Sequence, residues 1–218
     1  MSGGGYKNDV SDTEKLMRSA DGRIEEILRY WFGDLPDALA FPDKGKIWFR
    51  GGEAVDQEIR KRFGQNVKRA SRGGLDHWTD SPRGRLALII LLDQFSRNVY
   101  RDTPQAFAQD QKALQLALSG IEKGEDKELK PVEQSFFYMP LQHSEDLAIQ
   151  KQSVKTYTEL AECVPPAIEF PMRNVLDYAV RHLKIIERFG RFPHRNKILG
   201  RESTPEETEF LKTPGSSF

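Results

Sequence analysis

One cysteine, Cys163, stands in 218 residues. No disulfide can form within the chain, and usage this low suits a reducing compartment. Neither sign of charge is in excess: Lys plus Arg is 33 and Asp plus Glu is 33. That balance excludes a polyanion binder working through a global field, so nucleic acid is not an expected partner. The basic stretch 181–201 also lacks stacking aromatics beyond Phe189 and Phe192. The longest unbroken apolar run, Leu86–Leu92, is far shorter than the roughly 20 residues that span a bilayer. The opening "MSGGGYKNDVSDTEKLMRSAD" has no apolar core of signal-peptide length. A cytoplasmic protein with no membrane partner is expected. Phosphate-loop, dinucleotide, H-E-x-x-H, C-x-x-C and G-x-S-x-G patterns are all missing. No cofactor is expected. His143, Glu145, Asp146 and His194 are of metal-ligand type but lack any diagnostic spacing, so no metal is expected either.

Strand alternation bounded by hairpin turns is missing too, and helical signals take its place. Ser81-Pro82, Thr103-Pro104 and Thr204-Pro205 each pair a hydroxyl cap with a proline suited to the first helical position. Thr204 and Glu207 form a capping-box pattern. Glycines 33, 73, 120, 190 and 200 mark stops. Helices are predicted at 22–32, 53–72, 82–100, 104–119, 131–139, 145–163, 170–189 and 204–212, with a loop and one short helical turn across 34–52. Residues 1–21 read as a flexible tail, 22–212 as one helical domain and 213–218 as a loose end. Short connections imply antiparallel neighbours, and 82–119 has the length of a helical-hairpin repeat. The expected architecture is all-α, an irregular α-solenoid of antiparallel helix pairs. Nothing in the pattern sets an oligomeric state.

The segment "LALIILLDQFSRNVYRD" changes character within one helix. At about 100° per residue, Leu88, Leu91, Leu92, Phe95 and Val99 share one arc. Asp93, Gln94, Arg97 and Asn98, with Arg101 if the helix reaches it, share the other, beneath which Leu86, Ala87 and Ile90 are apolar. The helix therefore starts inside protein and ends beside something polar. A solvated end, a buried network fixing helix register and a pocket wall all fit that pattern. A second cluster, "FFYMPLQHSEDLAIQ", holds Tyr138, Gln142 and His143 at a break imposed by Pro140. There Ser144 reads as the next cap, and Glu145 and Asp146 as first-turn carboxylates. A third, "GRFPHRN", crowds Arg191, His194, Arg195 and Asn196 onto a bend set by Gly190 and Pro193, a donor set suited to carboxylate or phosphate. His182 lies on an apolar stripe and reads as a core histidine.

Four blocks, "EILRYWFG", "LLDQFSRNVYRDTPQAFAQD", "FFYMPLQHSEDLAIQ" and "RFPHRNKILGRESTPEETEFL", together resemble a bacterial family, number 924 among the domains of unknown function. The resemblance covers nearly all of 22–212. It implies an all-α fold similar to the tetratricopeptide-repeat superhelix, and it brings no activity or catalytic residue.

The three polar clusters are expected to converge on a concave face. The leading reading is a binding site for a small anionic molecule or an acidic peptide segment. There Arg97, Arg101, Arg191 and Arg195 clamp the anion, Gln142 and Asn196 orient it beside Tyr138, and Asp93 positions an arginine. One rival is a hydrolase-type enzyme with His143 or His194 as general acid or base and Glu145 or Asp146 as orienting carboxylate. The other is a structural scaffold whose polar groups pair only among themselves.

Overall fold

The structure, a computed structural model, describes residues 12–33, 44–48 and 52–216. Among these the fold is all-α, with no strand. The elements are α1 (Asp12–Phe32), α2 (Gly45–Trp48), α3 (Glu53–Ser71), α4 (Pro82–Ile89), a π-helical segment (Ile90–Phe95), α5 (Ser96–Val99), α6 (Asp110–Glu122), α7 (Pro131–Phe137), α8 (Met139–Gln142), α9 (Leu147–Cys163), α10 (Pro166–Phe189), α11 (Asn196–Leu199) and α12 (Pro205–Phe210).

The rod made of α4, the π segment and α5 is the centre of the molecule. Leu86 to Leu92 are completely buried, as are Asp93, Phe95 and Ser96. Helices α1, α3, α6 and α7 all pack against it. Apolar side chains all round a helix require neighbours all round, which explains why this segment lacks a clear stripe in its first half. Aromatic rings fill the space toward α1: Phe95 meets Trp31 edge-on at 5.5 Å and Phe63 at 5.0 Å, and Phe136 meets Trp31 at 5.6 Å. Helices α9 and α10, joined through Val164 and Pro165, form an extensive antiparallel pair beside α8.

Several expected boundaries move, each for a local reason. Helix α1 starts at Asp12, inside the span read as tail, where "DTEKLMRSA" is rich in helix formers; the tail as far as residue 11 lies outside the described residues. In the 34–52 segment the short helical turn is α2, and 34–43 and 49–51 lie outside the described residues. The Thr103-Pro104 signal opens only a 3-10 turn, because the Thr103 hydroxyl donates back to the Tyr100 carbonyl at 2.7 Å instead of capping forward; α6 begins at Asp110. Helix α10 begins at Pro166, with proline at its first turn, and runs through Pro171. Asp146 caps α9, accepting from the amides of Ala148 at 2.7 Å and Ile149 at 3.1 Å, where Ser144 was expected to cap. The C-terminal stretch folds back, with the Ser216 hydroxyl donating to the Leu211 carbonyl at 3.1 Å; residues 217–218 lie outside the described set.

Gly120 is not a stop. It lies inside α6, where a Cβ would fall 2.4 Å from the ring of Phe137 and 2.7 Å from Arg85 Cδ. Gly84 is tighter, since its Cβ would sit 2.1 Å from the Trp78 carbonyl oxygen. A buried ring edge can give slightly, whereas a backbone carbonyl in a 3-10 turn cannot move without its neighbours. Gly84→Ala is therefore expected to destabilise by about 3 kcal/mol or more, and Gly120→Ala by about 1–3 kcal/mol. Urea unfolding of both variants checks the order; equal or negligible losses would show that the packing against α4 is looser than described.

Candidate functional site

The π segment holds the first functional side chain. A π turn spends one residue more than an α turn and commonly occurs where function requires an unusual side-chain placement. Here the Ser96 hydroxyl donates to the Leu91 carbonyl at 3.2 Å, five residues back. Asp93 lies within this wider turn and is wholly inaccessible to solvent. Its carboxylate is nonetheless well supplied with donors: Gln94 Nε2 at 2.5 Å, His143 Nδ1 at 2.7 Å and Arg97 Nη1 at 3.2 Å. Burial alone would raise its pKa, but the positive charge of Arg97 and the bond from His143 outweigh that and hold it well below the usual carboxylate range.

His143 follows α8, the short helix that Pro140 separates from α7. An ionised carboxylate only accepts hydrogen bonds, so the proton on the imidazole sits at Nδ1 and the lone pair at Nε2. Nε2 bonds to nothing among the described residues, and the side chain remains 17% exposed. Burial first, and then the charge of Arg97, push the His143 pKa down, with Asp93 opposing.

From Asp93 the charges continue in a line. Arg97 Nη1 donates to the Asp93 backbone carbonyl at 2.6 Å, and the same guanidinium meets Asp110 at 3.0 and 3.1 Å. Asp110 also takes Arg195 Nη1 at 3.1 Å. Arg195 lies over two aromatic rings, 4.8 Å from the Phe107 centroid and 4.6 Å from that of Phe192. Burial, together with the nearby charge of Arg97, pulls its pKa down to about 10. Phe192 closes the arrangement: His182 stands 5.5 Å from its ring and 6.1 Å from the ring of His143, and His194 stands 5.6 Å from Phe192. His182 is the core histidine expected, donating from Nδ1 to the Tyr178 carbonyl at 2.7 Å. The bend 190–196 is held in place by Glu145, which accepts from the Phe192 amide at 2.8 Å and from Arg201 at 2.7 and 3.0 Å.

The sequence candidates thus divide. Asp93, Arg97, His143, His194 and Arg195 lie together. Glu145 stands beside them, but it is occupied by Arg201 and a backbone amide. Arg101 leaves the cluster: with Asn98 it pairs with Asp56 of α3, so the polar arc read as one stripe faces two neighbours. Arg191 and Asn196 bind Glu207, which also closes the Thr204 capping box and secures α12. Tyr138 is completely buried and donates to Asp126 at 2.5 Å. Gln142 is buried beside Tyr157, with its backbone carbonyl accepting from Gln150 at 2.6 Å. Sequence reasoning missed Asp110, Phe107 and Arg201. Asp110 falls in the middle of the helix predicted at 104–119, and no spacing links 107, 110 and 201 to position 93. Among the described residues no group of three or more His, Cys, Asp or Glu is placed to hold a metal, and no helix is long and apolar enough to cross a membrane. Surface clefts of about 730 and 330 Å³ lie against α1, and none of the Asp93 cluster lines them.

The buried histidines set a pH dependence. Burial, with a smaller push from His143, lowers the His182 pKa from 6.5 to about 3; burial, then Arg195, lowers that of His194 to about 4. Between these values and 6.5 the unfolded chain binds more protons than the folded one, so stability is full above 6.5 and falls as the pH drops. From pH 7 to 5.5 the loss should be about 1 kcal/mol per histidine. Urea unfolding across that range checks it. His182→Gln with His194→Gln should flatten the slope, and an unchanged slope would place these rings in contact with water.

No curated protein matches the chain. A solved protein of unknown function from Agrobacterium tumefaciens is similar at 36% sequence identity and a TM-score of 0.74, over 88% of this chain and 98% of that one. The profile of DUF924, bacterial protein of unknown function, matches residues 27–215. That span takes in the central rod, the His143 turn and the 190–196 bend, and the chain belongs to the DUF924 family.

Proposed function

We propose that the protein is a hydrolase-type enzyme in which His143 is the general base and Asp93 orients it. The observation that carries this reading is the 2.7 Å bond from Nδ1 to a fully buried carboxylate, with Nε2 left unbonded on a partly exposed ring. Asp93 takes the orienting role that the sequence offered to Glu145 or Asp146. A histidine with a lowered pKa is neutral at pH 7, so its Nε2 lone pair is ready to accept a proton. In the reaction Nε2 takes a proton from water as the water oxygen bonds to the electrophilic atom of the substrate. The same proton then passes to the leaving group. Asp93 stabilises the imidazolium between these events and stays ionised.

Mutual pairing of Asp93, Arg97 and Asp110 favours the scaffold reading for those three side chains. It does not account for His143, whose second nitrogen serves no contact. In a helical stack similar to tetratricopeptide repeats, the site would open on the concave side and admit a small molecule.

Nitrogen NMR should find His143 in the Nδ1–H tautomer, titrating below 6.5. A panel of ester, amide and phosphoester substrates should yield a turnover that His143→Gln abolishes. Asp93→Asn should reduce that turnover about 10²–10⁴-fold by losing the tautomer. An Nε2–H tautomer, or turnover indifferent to both variants, would sink the proposal.

A further inference from the structure

The arginines near His143 are not equivalent. Arg101 is taken by Asp56, Arg191 by Glu207 and Arg201 by Glu145. Arg97 is held by Asp93 and Asp110. Arg195 differs. It is 6% exposed, and one nitrogen, Nη1, meets Asp110. Its Nε is fully buried with no acceptor, and Nη2 donates to nothing among the described residues. Desolvated N–H groups on a cation are costly to leave unpaired. The line of charges Asp93, Arg97, Asp110, Arg195 also ends on this cation, whose direct ion pair is with Asp110 through Nη1.

We infer that the substrate of this site carries a carboxylate that docks on the Nε–Nη2 edge of Arg195. The inference rests on the reading of His143 as the catalytic base, and it supplies the substrate class. The shape of the slot decides between anions. The guanidinium lies over the rings of both Phe107 and Phe192, 4.8 and 4.6 Å from their centroids. Two parallel N–H donors in that plane match the two coplanar oxygens of a carboxylate. A phosphate would drive oxygens above and below the plane, toward the negative ring faces. Phe192 also ties this edge to the base, because His182 contacts both Phe192 and His143. A small carboxylic acid derivative anchored on Arg195 would present the rest of its body toward Nε2.

The test uses the full chain and the Arg195 Nε–H resonance. Sodium acetate, sodium benzoate and inorganic phosphate are titrated at fixed ionic strength against chloride. Both carboxylates should shift the resonance saturably, and phosphate more weakly. Arg195→Lys keeps the charge but loses the fork, and should weaken benzoate binding about tenfold or more. Should Arg195→Lys fail to fold by circular dichroism, the wild-type titration decides alone. His143→Gln should bind benzoate as the wild type does, so loss of the base and loss of the anchor are read separately. A resonance no more responsive to carboxylates than to chloride would overturn the inference. So would tighter binding of phosphate than of benzoate, or a folded Arg195→Lys that titrates like the wild type.

Discussion

A carboxylate with no access to water sits in the central rod, and the arrangement around it follows from that one cost. An ionised side chain removed from solvent is destabilising by several kcal/mol unless donors replace the water it loses. Asp93 has three side-chain donors, one from its neighbour in sequence, one from a turn ahead and one from the residue that follows α8. Arg97 is held by Asp110 as well, and Asp110 by Arg195. Polar chains of this kind strengthen as members are added and weaken sharply when one is removed. The π turn belongs to the same constraint, since Asp93 lies inside it and Arg97 follows within a turn.

The C-terminal third of the chain is attached to that centre by a different device. The bend at 190–196 contributes Phe192 and Arg195, yet its own apolar cluster, Ile185, Ile186 and Phe192, is small. Position is supplied instead by Glu145, which grips both a backbone amide and Arg201, while Arg201 returns a bond to the Phe192 carbonyl at 3.1 Å. Because Glu145 is two residues from His143, the staple sets the distance between the histidine turn and the arginine bend. Arg191, Asn196 and Glu207 do the same farther out, securing α12. Charged residues that looked alike in the sequence thus serve two purposes, with one group holding the walls and a smaller group facing inward.

How much of this was legible depends on range. The capped and glycine-stopped helices were readable because caps act within three or four residues: Ser81 accepts from the Gly84 amide and Thr204 from the Glu207 amide, as their spacing implies. The π turn was not readable, because a 100° wheel assumes the α register that the turn interrupts. Arg101 shows the resulting error, assigned to the face of Arg97 although the helix has ended at Val99 and its guanidinium faces α3. Residue types at the site were legible, and so was the presence of three polar clusters. Partner choice was not. Whether Arg195 meets Asp93, Glu145 or Asp110 is set by the packing of α6 against the rod, which no local pattern encodes.

The proposed catalytic role rests on the choice of histidine at 143. A scaffold needs a single neutral donor to Asp93 at that place, and an amide side chain would supply it without titrating. An imidazole costs more there. Its pKa is lowered by burial and by Arg97, so any protonation works against folding. In return it offers a lone pair on the far nitrogen, with the tautomer fixed by a carboxylate that cannot donate. The same reasoning applies to Arg195, whose unpaired donors are a burden to a scaffold and a recognition edge to a ligand site. Two separate costs, at the two ends of one line of charges and with His182 between His143 and Phe192, are what the proposed site for a substrate with an acidic group and a hydrolysable bond would retain.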